Sequence, residues 1–219
     1  QNTVGVEAVY PVPGEAIVAQ VRAVAEDIGV DAVKVGMLGT TEAIAAVDEA
    51  LDLVGAAPIV LDPVMVAESG ARLLEENAIE ALRSRLVARA TVVTPNVAEA
   101  AVLAGATPDT APEELARAVY ALGPGAVVVT GGHREDATDV FFDGERVERI
   151  PGERHPDGAA HGSGCTHSSA LAAGLALGLG PLEGARRAKH VAGESVRDGL
   201  RGLGEGVGPV DVLGAAARR

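Results

Sequence analysis

One cysteine, two lysines and no apolar run long enough to cross a bilayer set the first limits on this 219-residue chain. A single cysteine excludes an internal disulfide framework and any zinc site built from several thiolates. A metal would therefore have to be held by oxygen or histidine. No apolar run approaches the ~20 residues that a membrane-spanning helix needs, and the opening residues lack the basic-then-apolar order of a signal peptide. The expectation is a cytoplasmic protein with no membrane partner.

Lysine is confined to Lys34 and Lys189, and 18 basic residues face 31 acidic ones, for a formal net charge of −13. An acidic surface repels polyphosphate at long range, which argues against a nucleic-acid partner. A phosphate would need local help from backbone N–H groups and a divalent cation. Two origins fit the acidity: adaptation to a high-salt cytoplasm, where screening removes self-repulsion, or a GC-rich genome and an acidic protein by chance. Unfolding midpoints compared in low and molar KCl test the first, which equal midpoints would end.

Hydrophobic residues at 47% supply the core of one α/β domain. Short β-branched runs at Ala32–Gly36, Pro58–Asp62, Thr91–Thr94 and Ala126–Thr130 alternate with stretches that carry apolar residues at three- and four-residue spacing. Those stretches, Glu15–Asp27, Thr40–Leu53, Asn77–Ala90 and Pro112–Ala121, read as helices packed on a mostly parallel sheet. Thr138–Phe142 and Arg146–Ile150, joined at Asp143-Gly144, read as a late antiparallel hairpin. Two closing helices, Cys165–Leu177 and Leu182–Leu200, complete an α/β three-layer arrangement with helices on both faces.

Ligands of open parallel sheets bind beyond the carboxyl ends of the strands, and three of these ends are polar. Asp62 closes one run. Asn96 and Glu99 follow another, at a spacing that suits both a shared Mg²⁺ hydration shell and a helix capping box. Thr130-Gly131-Gly132-His133 follows a third, and its glycines allow close approach of a ligand. Downstream, His161-Gly162-Ser163-Gly164-Cys165-Thr166 precedes a small, apolar helical run. Its glycines permit a turn that aims several N–H groups at one point, where a helix start favours an anion. The spacing of His133, His155, His161, His167 and His190 matches no zinc motif.

In this order, Gln1-Asn2-Thr3, Gly36-Met37-Leu38, Val60 to Met65, Thr94-Pro95-Asn96 with Glu99, Gly131-Gly132-His133, the cysteine motif and Gly206-Val207-Gly208-Pro209 resemble the hydroxymethylpyrimidine/phosphomethylpyrimidine kinases of the ribokinase-like superfamily. The resemblance implies two successive phosphoryl transfers from Mg-ATP, first to the hydroxymethyl oxygen of a small aminopyrimidine and then to its monophosphate, in thiamine biosynthesis. It implies that Gln1, Met37 and Val64 hold the pyrimidine. Cys165 would orient or help deprotonate the substrate hydroxyl, and the Gly162, Ser163, Gly164 and Cys165 amides would form an anion hole. Thr130, Gly132 and Asn96 would lie along the nucleotide, and Asp62 and Glu99 would organise Mg²⁺. Thr130 stands where many family members carry lysine.

A homodimer and fusion to another thiamine-pathway domain are expected on the same ground. The family's first strand and glycine-rich loop would precede Gln1, so residues 1–219 are expected to be one ribokinase-like domain without them. Two alternatives remain: a pyridoxal or pyridoxine kinase, and a non-catalytic module that binds a pyrimidine phosphate within a longer protein.

Overall fold

The structure is a computed structural model that describes residues 1–66, 70, 73–132 and 137–215. His133 lies outside the described residues. Strand β1 (Val33–Val35) carries Lys34 and is buried only at Val35, whereas β2 (Ile59–Leu61), β3 (Val92–Val93) and β4 (Val127–Val129) are apolar and largely buried between layers. They pair in parallel, in chain order, and β5 (Asp139–Phe142) and β6 (Val147–Ile150) extend the sheet antiparallel from β4. Phe142 pairs with Val147, so the hairpin closes through the four residues Asp143 to Arg146, not through a two-residue turn. Asp143 makes this loop: its side chain accepts from the Glu145 and Arg146 N–H groups, and Gly144 adopts a φ of 96°.

Alternation along the strands divides the core in two. Leu61, Val93, Val127, Val129, Val140 and Phe142 point to the face covered by α2 (Thr41–Ala50), α3 (Glu76–Arg85), α4 (Val97–Ala104) and α5 (Pro112–Tyr120). Val60, Val92, Val128, Phe141 and Ile150 point the other way, onto α6 (Ser163–Ala176) and α7 (Pro181–Arg197). Helix α1 (Gly14–Asp27) packs outside, against α2. The result is the expected three-layer α/β sandwich.

Several helix boundaries differ from expectation: the helix expected over Thr40–Leu53 ends at Ala50 and gives way to a 3₁₀ turn at Leu51–Leu53, and the one expected over Leu182–Leu200 runs from Pro181 to Arg197. The helix expected over Asn77–Ala90 ends at Arg85 and gives way to a 3₁₀ turn at Val87–Arg89. Helix α6 begins at Ser163, two residues before the expected start at Cys165, because Gly162 supplies a left-handed N-cap (φ 89°) that lets the chain enter the helix directly. This places Cys165 in the first turn. Phe141 is among the largest fully buried side chains, so Phe141→Ala should lower unfolding free energy by about 3–5 kcal/mol in urea titrations.

Candidate active site

The carboxyl ends of β2, β3 and β4 and the start of α6 open onto one cavity of about 1000 Å³. Its walls contain Gln1, Met37, Asp62, Val64, Asn96, Glu99, Thr130 and Gly132 together with the run Gly162 to Cys165. Every residue singled out above for catalysis, substrate, nucleotide or metal therefore borders the same space. The volume suits a small ring beside a nucleotide.

Helix α6 supplies the strongest feature of the wall. Intrahelical bonding leaves the first N–H groups of any helix without partners. Here the Ser163 N–H turns back to the Ala160 carbonyl (3.0 Å) and Thr166 N–H to that of Gly162 (2.9 Å). Among the described residues, the Gly164 and Cys165 N–H groups find no acceptor. Of the four amides expected to form the anion hole, that of Ser163 is committed to closing the turn. The Cys165 side chain is exposed at the mouth of this cradle.

Asn96 and Glu99 form a reciprocal capping box on α4. The Asn96 side chain accepts from Glu99 N–H (2.9 Å), and Glu99 Oε2 accepts from Asn96 N–H (2.9 Å). Glu99 Oε1 also receives the Met65 N–H (3.3 Å), which ties the loop after Asp62 to α4. Asp62 is buried, and its Oδ2 lies 3.3 Å from Lys34 Nζ and 2.9 Å from the Ser168 hydroxyl. Among the described residues, no three acidic, histidine or cysteine side chains are grouped to cage a metal.

Thr130 donates its N–H to the Pro95 carbonyl (2.8 Å) and bridges Asn96, so the segments after β3 and β4 run side by side. Gly131 is required by packing, since a Cβ there would collide with the Thr138 carbonyl oxygen, whereas Gly132 faces open space. Gln1 Nε2 lies 3.4 Å from His161 Nε2, at the mouth of the cavity.

Sequence reasoning missed a second buried group. Asp139 opens the antiparallel strand β5 and so lies at the same sheet edge as the carboxyl ends of its parallel neighbours. Its Oδ1 accepts from Lys189 (2.6 Å) and from Gly131 N–H (2.8 Å). His167 Nε2 stands 3.3 Å from Oδ2, an ion-pair distance without hydrogen-bond alignment. Burial disfavours the Asp139 carboxylate, but His167 and Lys189 outweigh it and hold the carboxyl below its ordinary range. The available signal was the scarcity of lysine: both lysines of the chain pair with buried aspartates at this edge.

Residues 1–211 match the phosphomethylpyrimidine kinase family. The chain belongs to that family. It is 45% identical over 217 residues to hydroxymethylpyrimidine/phosphomethylpyrimidine kinase of Rhizobium meliloti, covering 96% of this chain and 81% of the relative. It is 40% identical over 220 residues to a thiamine biosynthesis bifunctional protein of Geobacter sulfurreducens, covering 99% of this chain and 45% of that one. Bacillus subtilis pyridoxal kinase, solved as an ADP complex, superposes with a TM-score of 0.87 at 34% identity, covering 95% of this chain and 80% of that structure. The family and this structural likeness establish the ribokinase-like kinase fold.

Because the folded carboxyl of Asp139 lies below its unfolded value, it contributes stability at neutral pH. That contribution is lost as pH falls below about 4 toward the folded value. Asp139→Asn should therefore show a shallower loss of unfolding free energy on acidification than the parent chain. Urea titrations at a series of acidic pH values measure the difference in slope.

Proposed function

We propose that this chain phosphorylates 4-amino-5-hydroxymethyl-2-methylpyrimidine, and then the monophosphate so formed, with ATP as donor. The observation that carries the reading is the pair of N–H groups at Gly164 and Cys165, which have no acceptor among the described residues and border a cavity that also holds the polar strand ends. Phosphoryl transfer depends chiefly on positioning and charge stabilisation. Preorganised N–H donors where negative charge accumulates serve that purpose.

In this mechanism the pyrimidine lies against Met37 and Val64. The Gln1 amide matches a neighbouring donor and acceptor on the ring. Thr130, Gly132 and Asn96 border the nucleotide. The Gly164 and Cys165 amides receive the γ-phosphoryl oxygens as the hydroxymethyl oxygen bonds to phosphorus and ADP departs. Cys165 orients that hydroxyl and assists removal of its proton.

Asp62 and Glu99 supply oxygen donors suited to a hydrated Mg²⁺ bound largely through the phosphates. The pairing of Asp62 with Lys34, and of Glu99 with two backbone N–H groups, fits water-mediated contact better than a protein cage. When bound, the ion would neutralise phosphate charge.

The chain's likeness to a bifunctional relative supports fusion to a second thiamine-pathway domain, and a cytoplasmic homodimer is part of the same reading. Among the described residues no helix is long and apolar enough to cross a membrane. The acidity of the chain favours a small-molecule enzyme with neither nucleic-acid nor membrane partners. Pyridoxal phosphorylation is the second reading, favoured by the superposition on pyridoxal kinase.

Side-by-side turnover with ATP should be faster on the hydroxymethylpyrimidine than on pyridoxal; the reverse order would favour the second reading, and binding without ATP consumption would favour a non-catalytic module. Cys165→Ala should lower kcat by about 10²–10⁴-fold while calorimetry shows nucleotide affinity largely kept. Unchanged turnover would remove the thiol from the mechanism.

A further inference from the structure

Consecutive residues of α6 address two different buried ion pairs. The Ser168 hydroxyl lies within donating distance of Asp62 Oδ2 (2.9 Å), which also meets Lys34 (3.3 Å), and of the Gly164 (3.0 Å) and Cys165 (3.2 Å) carbonyls of its own helix turn. His167 meets Asp139 (3.3 Å), which also accepts from Lys189 (2.6 Å) and from Gly131 N–H (2.8 Å). Asp62 follows β2 and Asp139 opens β5, with β3 and β4 between them. At a strand spacing of about 4.8 Å, the two anchors lie roughly 14 Å apart along the sheet edge.

Both lysines of an otherwise lysine-free chain are placed here, with side chains only 22% and 14% exposed. His167 is 4% exposed, and neither ring nitrogen has a hydrogen-bond partner among the described residues. Burying an imidazole without hydrogen bonds is costly, and the polar group that His167 meets is the Asp139 carboxylate, at 3.3 Å.

We propose that His167 and Ser168 are positioning residues. They fasten the first turn of α6 to the Asp62–Lys34 and Asp139–Lys189 pairs on either side, and so fix the aim of the Gly164 and Cys165 amides over the cavity. With the body of α6 packed on the sheet through Leu171, Ala172 and Leu175, two polar anchors separated along the sheet edge restrict rotation of its first turn. Through Gly131, the Asp139 anchor also sets the helix start relative to the segment assigned to the nucleotide. This inference rests on the proposed phosphoryl-transfer role of the cradle.

Ser168→Ala and His167→Asn test it, with Ser168→Thr as the conservative restoration of a hydroxyl. Each of the first two should lower kcat about 10–100-fold, the scale of a small misplacement of catalytic groups. KM for the pyrimidine should stay within about twofold, and Ser168→Thr should recover most of the loss. A purely structural role would lower the unfolding midpoint and leave kcat unchanged in variants still folded by circular dichroism, and that result would overturn the proposal.

The second readout needs no substrate. Cys165 is the sole thiol, and because its exposed side chain sits on the turn that the two anchors hold, its rate of alkylation by iodoacetamide should change about threefold or more in both variants. If the parent chain phosphorylates no hydroxymethylpyrimidine, the functional reading fails and alkylation alone judges the anchoring. Rates equal to the parent's in both folded variants would overturn it.

Discussion

The start of α6 sets what this fold can do. A helix must leave its first N–H groups without partners, and burying such groups in apolar surroundings is costly. Here the chain places the start at the carboxyl edge of a parallel sheet, where a cavity admits ligand and water. Gly162, in a left-handed conformation, makes the abrupt entry possible. The residues behind the turn then hold it: Leu171, Ala172 and Leu175 on the sheet, Ser168 and His167 on charged groups at the sheet edge.

The charge distribution follows from the same requirement. A chain carrying −13 repels the phosphates that its family handles. Fixed backbone dipoles provide local attraction without changing net charge. The two lysines do not reach outward as free cations; each is matched to a buried aspartate. They serve to stabilise carboxylates that orient backbone and helix, and an isolated buried carboxylate could not persist without such partners.

Much of the fold was legible because its signals are local. β-Branched runs and helical spacing located strands and helices to within a few residues, since period and burial are coupled along a single segment. The Asn96–Glu99 spacing offered two readings, metal hydration and capping, and the structure forms the capping box. The α6 boundary was misplaced because a left-handed glycine N-cap has no side-chain signature of the serine, threonine or aspartate kind. The hairpin loop was longer than Asp-Gly suggested because Asp143 also captures two following N–H groups.

Local order and chemistry of the motifs were determined by the sequence itself: which segments are strands, where glycine permits a sharp turn, and which family's pattern the ordered motifs follow. Only the tertiary structure decided that Asp139 shares an edge with Asp62, that Lys34 and Lys189 both turn inward, and that neighbouring side chains of one helix meet both aspartates. The physical reason is separation. Ser168 and Asp62 are 106 positions apart, and Lys189 and Asp139 are 50 apart. No periodicity within a segment encodes such contacts; they arise when the order and direction of strands bring distant ends to one edge.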